Sequence, residues 1–186
     1  GANTYPGATT VADGTLAVNG SVVSNVTATA PGVLGGTGTV NGNASGTGTF
    51  SPGVGNTPGT LRITGNFAPT GTVQFDVNSP YTQANAGIDY DQFIVNGEVD
   101  LSASILSFVN SNDSTAPLNN TTLTLISKTS AGPLIPSSNP LDGTAVPIAI
   151  RLFNVFCNGG YGNNGVIHAV TPAIRLPVPP TSQPER

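Results

Sequence analysis

Short runs of β-forming residues, each closed by a turn residue, recur through the first half of the chain. Thr15–Val18 is followed by Asn19-Gly20, and Phe93–Val95 is followed by Asn96-Gly97. Gly and Pro interrupt nearly every window in which a helical period of apolar residues could extend, and both are costly inside a helix. Strands bounded by turns are therefore predicted, and we expect an all-β fold.

The turn residues recur at a nearly constant interval. Gly-Thr pairs open successive runs at Gly38, Gly48, Gly59 and Gly71, which are ten, eleven and twelve residues apart. This period suits strands stacked as rungs or half-rungs of a β-solenoid and is too short for a propeller blade or a helical repeat. Asn-Gly is also a hairpin signal, so an antiparallel β-sandwich is the competing fold. In the solenoid, alternate side chains point into a narrow core: Leu16 and Val18, Leu61 and Ile63, and Val73, Phe75 and Val77.

The regular pattern loosens after Ser111. We expect solenoid repeats over residues 1–110, an irregular β region over residues 111–171 that completes the same domain, and an extended Pro-rich tail over residues 172–186. The prolines of the tail favour polyproline geometry and exclude an interior strand.

Composition narrows the classes of function. The chain is 37% hydrophobic with a formal charge of −4, whereas disordered chains combine low hydrophobicity with high net charge. The five Lys and Arg residues are scattered, which argues against a nucleic-acid partner. Since no apolar run has the length of a transmembrane helix, we do not expect this chain to insert into a membrane. A neutral, hydroxyl-rich surface is predicted instead.

Four segments resemble a known repeat in their order along the chain. They are residues 1–20 (GANTYPGATTVADGTLAVNG), 34–42 (LGGTGTVNG), 50–65 (FSPG followed by TPGTLRITG) and 90–97 (YDQFIVNG). Together they resemble the autotransporter-associated β-strand repeat. The resemblance implies a right-handed parallel β-helix from a secreted or surface-displayed bacterial protein, of the kind that serves as a stalk, an adhesin or a matrix component. The Pro-rich tail does not follow the repeat pattern.

Asp89 and Asp91 belong to the densest acidic cluster of the sequence and are the main candidates for catalysis or calcium binding. Some parallel β-helices are polysaccharide-active enzymes that use carboxylates on one face for acid–base work or for calcium binding. Capping of turns through hydrogen bonds to backbone N–H groups explains the same two residues. Because Asp91 lies in the YDQ segment that the resemblance associates with non-catalytic proteins, we expect no catalytic site and no cofactor. Asp89 and Asp91 remain weak calcium candidates.

A solenoid exposes unpaired backbone groups at its ends, and an open edge can accept a further strand. We therefore expect a non-enzymatic, extracellular or cell-surface structural protein whose copies assemble into a fibre or matrix by end-to-end or strand-donation contacts. A passenger or stalk fragment of a surface adhesin is the first alternative, and a polysaccharide-active enzyme is the second. The partners expected are copies of the chain and surface glycans. The residues expected to mediate assembly are Thr4, Tyr5, Val11, Ile174, Leu176 and Val178.

Overall fold

The computed structural model describes residues 1–78, 85–109, 122–131 and 134–135, together with the backbone of three strands between residues 145 and 170. These parts of the chain contain strands, turns and bends and no helix, as the sequence predicted. The strands are β1 (Ala2–Asn3), β2 (Thr9–Val11), β3 (Thr15–Ala17), β4 (Ser21–Val22), β5 (Val26–Ala28), β6 (Val33–Gly36), β7 (Thr39–Val40), β8 (Ala44–Gly46), β9 (Thr49–Pro52), β10 (Thr60–Ile63), β11 (Phe67–Pro69), β12 (Thr72–Asp76), β13 (Gln92–Val95), β14 (Ile105–Val109), β15 (Thr122–Lys128), β16 (Ala145–Ile148), β17 (Arg151–Phe156) and β18 (Val166–Val170).

The strands lie in three sheets. Sheet 1 has the order β1-β4-β7-β10-β13-β15-β18-β17-β16, sheet 2 has the order β2-β5-β8-β11, and sheet 3 has the order β3-β6-β9-β12-β14. From β1 to β15 every neighbouring pair is parallel, and from β1 to β13 consecutive strands along the chain visit the three sheets in turn. On the next coil a single bridge between Phe67 and Val99 takes the place of a sheet 2 strand, and β14 follows in sheet 3. This is the arrangement of a parallel β-helix. The parallel pairing excludes the antiparallel sandwich for these strands.

One coil of the β-helix takes three strands, so the ten-to-twelve-residue period of the sequence corresponds to part of a coil. Ser21 pairs with Thr39 and Val26 pairs with Ala44, which sets an early coil at 18 residues. Later coils are longer: Thr60 pairs with Gln92, 32 residues further on. The extra residues lie between β9 and β10 and between β12 and β13, and both insertions leave sheet 3 and return to sheet 1. We call this corner of the β-helix the insertion corner.

The core grows wider where the phenylalanines begin. Val26, Ala44 and Phe67 occupy the same inward row of sheet 2 on successive coils, so a large ring replaces small side chains. The Phe67 ring stacks on Phe93 with a centroid separation of 4.8 Å and meets Phe50 edge-on at 5.5 Å. All three rings are fully buried, and each such burial contributes about 1.5–3 kcal/mol to folding. Of the residues that the sequence predicted to point inward, Leu16 is half-buried and the others are buried: Val18, Leu61, Ile63, Val73, Phe75 and Val77.

A ladder of asparagines joins successive coils at the corner between sheets 1 and 2. The Asn25 Oδ1 accepts the backbone N–H of Asn43 at 2.8 Å, and the Asn43 Oδ1 accepts the N–H of Asn66 at 2.8 Å. On the next coil the Asn66 Oδ1 accepts the N–H of Glu98 at 2.9 Å. Each asparagine satisfies a backbone donor that the strand pairing leaves unpaired at the corner. The polar corner residues of the sequence thus hold one coil to the next.

The parallel pattern ends at β15, which pairs in parallel with β13 and antiparallel with β18. Strands β18, β17 and β16 then continue sheet 1 as an antiparallel meander. Lys128 of β15 pairs with Val95 of β13, so the buried side chain of Lys128 follows the apolar side chain of Val95 in the same inward row. Its Nζ is 3.2 Å from the Glu98 Oε2 and donates to the Ala131 carbonyl at 2.9 Å. The less regular C-terminal β region predicted from the sequence is confirmed, whereas the Pro-rich tail lies outside the described residues.

No helix in the described ranges has the length and apolar character needed to cross a membrane.

Candidate functional site

Two places carry polar or open backbone groups in unusual surroundings: the insertion corner and the N-terminal end of the β-helix. At the insertion corner, Asp91 lies directly before β13 and is fully buried. Its Oδ1 accepts the N–H of Gly59 at 2.8 Å, and its Oδ2 accepts the N–H of Asp76 at 2.9 Å. One carboxyl group therefore joins the ends of both insertions to the last residue of β12. These are backbone-capping hydrogen bonds of the kind the sequence predicted.

Burial raises the pKa of Asp91 to about 8. The two backbone N–H groups favour the ionised form and oppose that rise, while the neighbouring Asp76 adds to it by charge repulsion. Burial also raises the pKa of Asp76, against a weak opposing hydrogen bond from the Gln74 Nε2 to its Oδ1 at 3.4 Å. The second oxygen of Asp76 is buried and has no hydrogen-bond partner in the structure. The corner thus contains two coupled carboxyl groups that water does not reach.

The other acidic candidate, Asp89, is half-buried and lies in a separate turn. Its Oδ2 accepts the backbone N–H of Asn85 at 2.8 Å and the Asn85 Nδ2 at 3.1 Å. Asp89 and Asp91 therefore cap different backbone groups. Within the part of the chain that the structure describes, no three His, Cys, Asp or Glu side chains form a cluster that could hold a metal ion.

The YDQ segment links three neighbouring parts of the β-helix. The Tyr90 hydroxyl accepts the N–H of Thr124 at 3.3 Å, and the Gln92 Nε2 donates to the carbonyl of the same Thr124 at 2.8 Å. Asp91, which lies between Tyr90 and Gln92 in the chain, accepts hydrogen bonds from the backbone N–H groups of Gly59 and Asp76. Burial raises the pKa of Tyr90, in keeping with a phenol enclosed by the fold. The arrangement joins coils and leaves the Asp91 carboxyl no opening toward a substrate.

Next to the insertion corner, a groove of about 310 Å³ lies on the outer face of sheet 3. Its lining includes Gly35, Ser51 and Gln74, which follow one another across β6, β9 and β12, and the first insertion borders it at Gly53 and Asn56. The Ser51 Oγ is buried and has no hydrogen-bond partner among the residues that the structure describes. Leaving such a group unsatisfied costs about 1–3 kcal/mol, which marks this hydroxyl as an unusual feature of the groove.

The N-terminal end of the β-helix is open in the described chain. A cavity of about 250 Å³ lies at this end, and its lining combines the apolar Leu16, Val18 and Val22, which belong to the core or pack against it, with the polar Asn3, Asn19 and Ser21. Strands β2 and β3 each have a single neighbour, β5 and β6 respectively. Thr9 donates its N–H to the Asn25 carbonyl at 2.9 Å, so the N–H of the next residue, Thr10, points to the open side.

The residues expected to mediate assembly lie in different surroundings. Thr4 and Tyr5 are exposed at the N-terminal end, and the Tyr5 hydroxyl is hydrogen-bonded to the Thr9 Oγ1. Val11 is buried with the core, so it supports β2 from inside the coil. The other three expected residues, Ile174, Leu176 and Val178, lie outside the described residues.

Several residues of these sites had no distinguishing signal in the sequence. Ser51 and Gln74 are ordinary outward residues of strands, and only the β-helix places them side by side below the first insertion. Thr10 is one threonine among many, and its open N–H depends on which neighbour β2 has. Asp76 was visible as an acidic residue near Asp91 in sequence, but its burial follows from the fold.

No protein-family model matches this chain, and no curated protein matches it.

Proposed function

We propose that this protein is a non-enzymatic structural protein of the bacterial cell exterior, and that its copies assemble through the open N-terminal coil into a fibre or matrix. The resemblance to autotransporter-associated β-strand repeats supports the extracellular setting. The observation that carries the proposal is the N-terminal end itself, where a cavity with a partly apolar lining and strand edges without a second neighbour in the described chain occur together.

Strand edges of this kind can form backbone hydrogen bonds with another chain. The open side of β2 presents the N–H of Thr10, and the apolar part of the cavity at the same end of the β-helix, formed by Leu16, Val18 and Val22, offers area that water leaves when another copy covers it. A contact between one end of a copy and a different part of the next is heterologous, and repetition of such a contact builds a filament.

The low charge of the chain supports close packing of many copies. Charged residues make up only 8% of the sequence, so repulsion between like-charged neighbours is small. The YDQ segment supports a structural role over an enzymatic one, because both oxygens of Asp91 bind backbone N–H groups inside the fold. A catalytic carboxyl needs to reach the substrate atom whose proton it transfers.

The test is electron microscopy and sedimentation velocity of the purified protein over a concentration series, with two substitutions at one residue. Thr10→Pro removes the N–H on the open side of β2 and leaves the pairing of Thr9 and Val11 with β5 in place. Thr10→Val keeps that N–H and is the matched control. We expect filaments from the wild type and from Thr10→Val, and monomers or short oligomers from Thr10→Pro.

Two results would contradict the proposal. A wild-type protein that stays monomeric at every concentration would exclude self-assembly and favour the stalk of a surface adhesin. Filaments of Thr10→Pro equal in length and abundance to those of the wild type would exclude strand addition at β2. A circular dichroism spectrum shared by the three proteins would show that the substitutions left the β-helix folded.

A further inference from the structure

We propose that the groove on the outer face of sheet 3 is a binding site for a neutral, hydroxyl-rich ligand, of the size of one or two sugar residues of a glycan. The site lies away from the N-terminal coil and does not depend on the assembly proposed above. It is defined by Gly35, Ser51 and Gln74 on the sheet and by Gly53 and Asn56 on the first insertion.

The depth of the groove comes from a missing side chain. Gly35 occupies an outward position on β6 and is buried, and a Cβ at this residue would lie 2.6 Å from the Ser51 carbonyl oxygen. Only glycine fits there without a shift of the neighbouring strand. The first insertion rises beside this hollow, because Gly53 and Gly36 exchange two backbone hydrogen bonds of 2.5 and 2.9 Å. The sheet forms the floor, and the insertion forms a wall held in place by the backbone.

The Ser51 hydroxyl supplies a buried hydrogen-bonding group in this hollow. Ser51 is only 8% exposed and lines the groove, and its Oγ has no hydrogen-bond partner among the described residues. A hydroxyl can donate one hydrogen bond and accept two, so it matches the hydroxyl groups of a sugar in either role. Buried polar groups of native proteins almost always find a partner, and a ligand or an ordered water supplies it here.

The chemistry of the lining selects a neutral ligand. The polar side chains that line the groove are the hydroxyls of Thr15, Thr49 and Ser51 and the amides of Asn56 and Gln74, Val33 adds an apolar side chain, and no charged side chain is among the lining residues. The Gln74 amide is additionally hydrogen-bonded through its Nε2 to Asp76, which restricts its orientation. At about 310 Å³ the groove is at the lower end of the range for small-molecule sites, so it suits a short segment of a ligand. A lining of hydroxyl and amide groups without charged side chains favours a neutral sugar over a charged ligand.

The experiment is a titration of ¹⁵N-labelled protein with maltose, cellobiose, lactose and N,N′-diacetylchitobiose, followed by amide chemical shifts. We expect at least one disaccharide to shift the backbone amides of Gly35, Ser51 and Gln74 and to leave those of sheet 2 unchanged. Ser51→Ala should weaken that binding by about fivefold, as expected for one neutral hydrogen bond. The matched control is Ser107→Ala, which removes a hydroxyl from β14 of the same sheet and outside the groove lining. It should bind like the wild type.

The stability of Ser51→Ala separates a ligand from a structural water. With no partner for the hydroxyl in the free protein, the alanine variant should unfold at the same urea concentration as the wild type or at a higher one. A clear loss of stability, with no disaccharide shifting the groove amides, would show that a permanent water is the partner and would overturn the proposal. Shifts confined to other surfaces, or a response only to a charged sugar such as glucuronate, would also overturn it.

Discussion

The buried carboxyl of Asp91 makes the stability of this protein fall as the pH rises through the neutral range. Its pKa is raised from 3.8 to about 8 in the folded state because water cannot reach it. The folded protein therefore holds a proton between these two values that the unfolded chain has released. Stability is greatest below the lower value and is lost as the pH approaches the higher one. Asp76 acts in the same direction, since its pKa is also raised.

The size of the effect follows from the shift. Each pH unit across which the folded state holds one extra proton changes the free energy of unfolding by about 1.4 kcal/mol. Between about pH 5 and about pH 8 the wild type should therefore lose about 4 kcal/mol. This amount is a large part of the 5–15 kcal/mol that is typical of a folded domain, so at least about a quarter of the stability depends on one carboxyl.

The assay is urea unfolding followed by circular dichroism at several pH values, with Asp91→Asn as the perturbation. An asparagine at this position accepts one of the two backbone hydrogen bonds and turns an NH₂ toward the other donor, so the variant should be less stable by about 1–3 kcal/mol near pH 5. It cannot titrate, so its stability should change much less with pH. The two stability curves should therefore cross between about pH 6 and about pH 7, and the variant should be the more stable protein near pH 8. Asp13→Asn, at an exposed turn, is the control and should keep the wild-type slope.

A wild-type stability that rises or stays constant between about pH 5 and about pH 8 would contradict the raised pKa of Asp91. An Asp91→Asn variant that keeps the full wild-type slope would contradict the assignment of that slope to Asp91. In the first case Asp91 is ionised in the folded protein, and its two backbone hydrogen bonds outweigh its burial. In the second case a different group titrates.

Two further predictions concern the corners between coils, and both have matched controls. Asn43→Ala removes the acceptor of the Asn66 N–H and should lower the free energy of unfolding by about 1–2 kcal/mol, whereas Asn41→Ala, at an exposed corner position two residues earlier, should change it by less than about 0.5 kcal/mol. Equal losses in urea unfolding of the two variants would show that the asparagine ladder adds no stability. Gly38→Ala places a Cβ 2.1 Å from a backbone oxygen of the preceding coil and should cost more than about 2 kcal/mol, whereas Gly7→Ala meets open space. A Gly38→Ala variant as stable as Gly7→Ala in thermal unfolding would mean that the coils can separate at this corner without loss.

The sequence predicted the fold class because the strand signal is local. Each run of β-formers alternates between core and surface, and each run ends at a residue that favours a turn, so Leu61, Ile63 and Phe75 were identified as core residues before any pairing was known. The regular spacing of these runs favoured stacked strands over a sandwich. The antiparallel meander after β15 was foreseen only as a loss of that regularity, because a broken pattern does not specify which strands pair.

The candidate sites depend on contacts between distant residues. The groove beside Ser51 exists because Gly35 and Gln74 come to lie on either side of it from other coils, and neither residue has any local feature that separates it from other strand residues. The same holds for Asp91, whose partners Gly59 and Asp76 are 32 and 15 residues away along the chain. Asp76 and Asp91 are recognisable as acidic residues in the sequence, but the raised pKa of each depends on the burial that the packed coils impose.

The amino-acid sequence by itself thus determined that this chain forms stacked β-strands with a neutral surface, because residue alternation and turn chemistry act over a few neighbouring residues. Only the tertiary structure decided that a coil takes three strands, that the insertions leave from one corner, and that Thr10 and Ser51 have backbone or hydroxyl groups without partners in the described chain. The physical reason is register. Which residues become neighbours on adjacent coils depends on the length of every coil, and the free energy that fixes this length comes from the packing of the whole core.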